Sequence, residues 1–241
     1  MSEKLLSEKQ IKRRVLWDKI TFIFVAFFLA LSAVFSVTLI YQKTYFNIKW
    51  INGQSMYPTF NKDAADRYGN PKGITGGGAF NGDKNFDCVI WDGHEATMNK
   101  MERFDIVILN KSEEKDLIKR VIVMPGETFY FGSGDDNGSL YLKNSQGVFD
   151  LVEQPVGQSY VREGIYENYQ DPNNPTTLKA NEYFVCGDNR AHSDDSRTIG
   201  PIAREKVLGI VVAVVGKADA VLENGKMVYS NLRIGWPRWI K

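Results

Sequence analysis

From Ile20 to Tyr41 the chain reads ITFIFVAFFLALSAVFSVTLIY, with no charged residue, proline or glycine. A helix of that length rises about 33 Å at ~1.5 Å per residue, enough to cross a hydrocarbon core of about 30 Å. The apolar region of a cleaved secretory signal is usually about 7 to 15 residues long, and no small-x-small site closes this run, which leads into Gln42 and Lys43. The pattern therefore predicts a retained transmembrane helix over residues 20–41. Lys4, Lys9, Lys12, Arg13, Arg14 and Lys19 precede it, whereas Lys43 and Lys49 follow. An excess of Lys and Arg marks the cytoplasmic side. Residues 1–19 are expected to be a cytoplasmic tail, and residues 42–241 an extracytoplasmic domain of a single-pass protein of the cytoplasmic (plasma) membrane.

Beyond the span the apolar runs become short. DCVIW at 87–91, DIVILN at 105–110, LIKRVIVM at 117–124, TFYF at 128–131, LYL at 140–142, EYFVCG at 182–187 and VLGIVVAVV at 207–215 are rich in Val, Ile, Phe and Tyr. Turn formers such as NPKG and DDNG separate them, so they read as strands. The pattern predicts a mainly β domain of antiparallel sheets or a partly closed barrel rather than βαβ repeats. Residues 61–82 form a Gly-rich loop without the G-K-[ST] ending of a phosphate-binding loop, and are expected to be a flexible insertion. The polar stretch 144–181 reads as the outer part of an inserted subdomain.

Composition narrows the function classes. The 241 residues are 43% hydrophobic and 24% charged, with a formal net charge of +1. Such a chain can bury a substantial core but lacks the basic excess expected of a nucleic-acid partner. Its two cysteines, Cys88 and Cys186, lack C-x-x-C spacing, which argues against a zinc site and a disulfide framework; whether the two pair is open.

Three stretches carry candidate chemistry. NGQSMYPTF at 52–60 follows the span closely, although Gly, Gln, Ser and Pro are also ordinary turn formers. In DLIKRVIVMPGE, alternation puts Leu117, Lys119, Val121 and Val123 on one face and Ile118, Arg120, Ile122 and Met124 on the other. One of two adjacent cations must then point into an apolar surface, and Lys119 is the better interior amine because Lys can lose its proton when desolvated. The competing reading is an edge strand whose Lys and Arg both reach solvent. The third stretch, CGDNRAHSDDSRTIGPI at 186–202, reads equally as a loop tied by Asp–Arg pairs or as a wall whose short polar side chains hold a buried amine.

Taken in order, SMYPT at 55–59, RFDIVIL at 103–109, KRVIVMPGE at 119–127 and GDNRAHSDDSR at 187–197 resemble bacterial type I signal peptidases. These are membrane-bound serine proteases that remove signal peptides from exported proteins. The resemblance implies a β-rich catalytic core of about 42–127 and 182–241, with an inserted β subdomain of about 128–181. It implies Ser55 as nucleophile and Lys119 as general base of a Ser/Lys dyad, with Ser193 orienting the amine and Asp195 and Arg197 bracing the wall. Met56 and Pro58 shape the nucleophile's turn. It calls for no cofactor and no metal, and implies signal-peptide-bearing precursors, the lipid bilayer and the secretion machinery as partners. Three positions depart from the family pattern. Gly53 stands where some members have an oxyanion-hole serine, Phe104 where Gly is common, and Glu127 where Asp is common.

Other readings are weaker. A triad of Ser55 with His192 and Asp194 would draw both partners from one short loop, and the other histidine, His94, lies elsewhere. Asp188, Asp194 and Asp195 lack the spacing of a calcium loop. A membrane-tethered binding or assembly protein would be expected to have lost the serine or the lysine, and a self-cleaving Ser/Lys regulator would be cytoplasmic with a DNA-binding module; general export and a dedicated pathway both stay open, since the Gly-rich insertion and Gly53 lie beside the proposed site. Trp236 and Trp239 in GWPRWIK suit either a membrane interface or a tail packed on the domain.

Overall fold

The computed structural model describes residues 8–51, 53–64, 83–112, 115–155, 166–224 and 226–240. Most of the Gly-rich loop, residues 65–82, lies outside them. The chain forms two units, divided after Tyr45. The first is one helix, α1 (Glu8–Tyr45), of 38 residues. Its stretch Lys12–Tyr41 is long and apolar enough to cross a membrane. The helix overruns the apolar run at both ends, since backbone hydrogen bonding continues through flanking Lys, Arg and Gln, which are good helix formers.

The second unit is β-rich. Its strands are β1 (Phe46–Trp50), β2 (Asp83–Asp92), β3 (Ile106–Ser112), β4 (Lys115–Val123), β5 (Thr128–Phe131), β6 (Leu140–Lys143), β7 (Phe149–Val152), β8 (Thr176–Thr177), β9 (Glu182–Cys186), β10 (Ile202–Ala203), β11 (Val207–Glu223) and β12 (Lys226–Trp239). The larger sheet has the order β1-β2-β11-β3-β4-β9-β10, with β12 also paired to β11. A four-stranded sheet, β7-β6-β5-β8, is formed by residues 128–177. All the pairings among the described residues are antiparallel.

One core cluster joins the two sheets. Ile122 and Val123 of β4 and Phe184 and Cys186 of β9 pack with Phe129, Phe131 and Leu140 of the smaller sheet. Another lies against the start of the unit, where Ile51, Met56 and Phe60 pack with Val89, Ile106, Ile108 and Val211. Cys88 and Cys186 are both buried and free, which resolves their pairing. Burial pushes the thiols up to about 11 and about 12 respectively. The tail is held on the domain by the pairing of β12 with β11 and by Ile240 against the Met56 cluster, while Trp236 and Trp239 are 98% and 70% exposed.

Candidate active site

The turn that carries Ser55 is anchored by apolar side chains. Met56 and Phe60 are each 1% exposed in the core, and backbone bonds from Tyr57 to Gln54 and from Phe60 to Met56 close the turn. The Tyr57–Pro58 bond within it is cis. Asn61 fastens both ends. Its amide donates to the carbonyls of Ile51 and Gly53, each at 2.9 Å, and its side-chain oxygen accepts from the Asp87 N–H. Gly53 has φ +114°, which strains any side chain. A serine there would carry a backbone cost, a physical reason for glycine at that position.

Lys119 lies on β4 and is 2% exposed. Its Nζ donates to Ser55 Oγ at 3.0 Å and to the Ile118 carbonyl at 2.9 Å. Burial lowers its pKa from 10.5 to about 8, against the opposing pull of the Asp195 and Asp194 carboxylates. Neighbouring Arg120 is also buried, at 4%, so both adjacent cations leave solvent, not just one. The difference lies in their partners. Arg120 forks onto Asp188 through Nε at 2.8 Å and NH2 at 2.7 Å and also donates to the Phe104 carbonyl. Lys119 has a serine hydroxyl and a carbonyl, neither of which carries the negative charge that would offset its burial.

The loop 187–197 forms the facing wall. Asp195 is fully buried; Arg197 donates to both its oxygens, at 2.7 and 2.8 Å, and the Gly187 N–H donates to it at 2.8 Å. Burial opposes the charge of Asp195, but these bonds outweigh it and hold the carboxyl below its ordinary value. Ser193 Oγ lies beside Gly187, buried and with no hydrogen-bond partner among the described residues. The hydrogen bond to Lys119 that the resemblance implies for Ser193 is not made here; the bonds of the amine run to Ser55 and Ile118. Asn189 ties the wall to the turn, donating its N–H to the Ser55 carbonyl at 3.0 Å and its side-chain amide to Gln54 at 3.2 Å. Thr59 Oγ1 donates to Asp188 at 2.5 Å. Pro58 is exposed on the outer side of the turn.

Gly187 lets this assembly close. A Cβ there would meet Ser193 Oγ at 2.2 Å and the Ser55 carbonyl at 2.4 Å. Gly187→Ala is expected to displace the Ser55 turn, costing about 1–3 kcal/mol of stability by overpacking and most of the activity. Thermal melting and a cleavage assay on the same preparation check it.

The remaining departures have local explanations. Phe104 adopts φ +74°, a conformation natural to glycine, while its ring packs on the cluster between the sheets. Glu127 accepts from Arg103 at 2.5 Å and from the Met124 N–H at 2.7 Å, closing its turn. His192 is exposed, and His94 pairs with Asp92. Asp188, Asp194 and Asp195 each face a cation, namely Arg120, Lys111 and Arg197. Among the described residues no group of three or more His, Cys, Asp or Glu is arranged to hold a metal ion.

The sequence reading passed over Asn61, Arg120, Gly187, Asp188 and Asn189 as site-building residues. Arg120, Gly187, Asp188 and Asn189 act through partners far away in the chain, Asn61 through carbonyls eight and ten residues back, and only the stretch from 187 to 190 hinted at them.

Comparison with known proteins gives the family. A family described as "Signal peptidase, peptidase S26" matches residues 19–216. Signal peptidase I V of Bacillus subtilis (strain 168) is 33% identical over 129 residues, covering 50% of this chain and 74% of that protein. Signal peptidase I of Bacillus amyloliquefaciens is 28% identical over 220 residues, covering 86% and 90%. The crystal structure of a signal peptidase I from Enterococcus faecalis V583 is 30% identical and covers 46% of this chain and 95% of its own, with a TM-score of 0.32. The chain belongs to the signal peptidase family, peptidase S26, and is a serine endopeptidase.

Proposed function

We propose that this protein removes N-terminal signal peptides from exported precursors after small-x-small sites, with Ser55 as nucleophile and Lys119 as general base. The observation that carries the reading is the 3.0 Å contact between Lys119 Nζ and Ser55 Oγ, made by an amine whose burial brings its pKa to about 8. A neutral amine takes the Ser55 proton as Oγ attacks the scissile carbonyl. The amine then returns that proton to the leaving nitrogen, and an acyl-enzyme remains. Water, deprotonated by the same amine, releases the signal peptide. The Ser55 N–H, which no hydrogen bond among the described residues engages, supplies one oxyanion donor, a kind of contact worth ~3–4 kcal/mol in acyl transfer.

The substrate adds as an extended strand. Among the described residues β1 pairs only with β2 and β9 takes up β4 only from Arg120 onward, so among them no strand covers the backbone before Lys119 on that side. Ile51, in the cluster around Met56, and Ile118, packed against that cluster, form the apolar floor for the residue before the cut. The Lys and Arg excess ahead of the apolar run 20–41 supports a cytoplasmic N-terminus and an extracytoplasmic catalytic unit. Trp236 and Trp239 suit the bilayer interface.

The reactive species is the neutral amine, so the acid limb of the rate profile follows Lys119. With a pKa of about 8, kcat/KM is expected to rise about tenfold per pH unit below that value and to level off above it. Cleavage of an A-x-A precursor in lipid vesicles from pH 6 to 10 checks this. A limb with its midpoint near 10.5 would mean an amine with no burial effect and would remove the support for Lys119 as base.

A further inference from the structure

Residues 187–190 have two sides. On one they meet the nucleophile's turn: the Asn189 N–H donates to the Ser55 carbonyl at 3.0 Å, and Gly187 lies so close to that carbonyl that no Cβ would fit between them. On the other lies Arg190, whose side chain is completely buried. Its Nε donates to the Gly187 carbonyl at 3.1 Å and folds the stretch onto itself. Its NH1 and NH2 donate to the Tyr166 hydroxyl at 3.1 Å and to the Gln154 side-chain oxygen at 2.7 Å. Gln154 and Tyr166 lie outside the motif stretches, within residues 128–177, which build the four-stranded sheet. Each is fixed there. Gln154 donates to the Gly138 carbonyl at 3.0 Å, and the Tyr166 ring packs on Phe131 of β5 with the centroids 4.5 Å apart.

We propose that Gln154 and Tyr166 are positioning residues for catalysis, acting through Arg190 to hold residues 187–190 against the main chain of Ser55, a role that rests on the Ser55–Lys119 reading above. A guanidinium taken out of water is costly unless its N–H groups find acceptors. The three acceptors of Arg190 are neutral: a carbonyl, an amide and a phenol that burial keeps protonated. Its place is therefore set by the geometry of those bonds. Removing one acceptor leaves an N–H of a buried cation unpaired, and the side chain must turn toward another. Nε is tied to Gly187 and Asn189 is the next residue in the chain, so that turn moves the N–H that clips Ser55. Tyr166 has a second hold on the same wall. Arg197, which donates to the Arg190 carbonyl at 2.9 Å, lies 5.1 Å from the Tyr166 ring centroid, within cation–π reach. The same guanidinium holds both oxygens of Asp195, which accepts from the Gly187 N–H. Both ends of the stretch thus lead back to Tyr166. Misplacing a reacting group by about 1 Å costs on the order of a hundredfold in rate.

The test uses full-length enzyme in lipid vesicles with an A-x-A precursor, and kcat is expressed per folded enzyme, the folded fraction being read from near-UV circular dichroism of the same preparation. Tyr166→Phe removes the hydroxyl and keeps the ring, and Gln154→Met removes the amide at similar length. Each is expected to lower kcat about tenfold with KM within about twofold of wild type, because the clip acts on the nucleophile and not on the bound substrate. Tyr166→Leu, which also loses the ring, is expected to lower kcat further. Placed in an Arg190→Met background, Tyr166→Phe and Gln154→Met are each expected to change kcat by less than about twofold, since the residue they act through is gone. A purely structural role would lower the melting temperature and leave kcat per folded enzyme where it was. Wild-type kcat in both single variants, a loss that falls on KM instead, or losses that multiply in full with Arg190→Met overturns the proposal and leaves the dyad intact. Where Arg190→Met gives no folded protein, kcat and KM of the two single variants decide. Failure of folded wild type to cleave the precursor instead refutes the dyad reading, and the positioning role with it.

Discussion

Ser55→Ala is expected to lower kcat by roughly a millionfold, the scale on which loss of a serine protease nucleophile acts. The change removes one hydroxyl, and with it both the attacking atom and the acceptor for Lys119. It leaves the packing of Met56 and Phe60 and the Asn61 and Asn189 clips in place, because these act on main chain or on other side chains. The folded structure and membrane insertion should therefore survive, and a melting curve alongside the cleavage assay separates lost chemistry from lost fold. Activity within tenfold of wild type would exclude Ser55 as nucleophile.

Lys119→Met is expected to abolish turnover to a similar degree while stabilising the fold at neutral pH. The pKa of Lys119 is lowered from 10.5 to about 8, so the unfolded chain binds more protons than the folded one between those values. Stability contributed by this group thus rises with pH across that window, and the penalty is at its full size below about 8. Burying the amine costs on the order of 3 kcal/mol at pH 7. Methionine has similar length and no charge, so the variant should melt higher than wild type at pH 7, with the advantage shrinking toward pH 10.5. Melting temperatures of both proteins from pH 6 to 10 test the sign. A variant that loses activity and also melts lower at pH 7 would point to a structural lysine instead of a base held at a cost. Arginine is no substitute, since it stays protonated in proteins.

Strands with one buried face were legible in the chain. VLGIVVAVV opens β11, and EYFVC is β9, because both supply dense β-branched or aromatic side chains to cores. β12 was not legible. Its residues from Leu232 to Trp239 are exposed, so no buried face imprints an alternation, and Gly235 and Pro237 read as turn formers. Pairing with β11 holds it in extended form. β1 was missed for a related reason: FNIKW is short and includes an exposed Ile48.

The site was legible where chemistry is carried by residue type and less so where it is carried by partners. A lysine within an apolar strand suggested an interior amine, but the burial of Arg120 depended on Asp188, 68 residues away. Likewise, no pattern in the nucleophile's stretch tells that Asn61 would hold the carbonyls of Ile51 and Gly53. Arg190, fully buried, finds Tyr166 and Gln154, partners that only the folded chain assembles. The Lys49–Asp116 contact is another such case, joining two strands that lie far apart in the order of the sheet.

The most direct test of the central claim is cleavage of an exported precursor with an A-x-A site by wild type and Ser55→Ala in parallel, in lipid vesicles, with the new N-terminus of the product sequenced. The account predicts a single cut directly after the A-x-A by wild type and none by the variant. Cutting by both enzymes, or a cut elsewhere in the precursor, would contradict it.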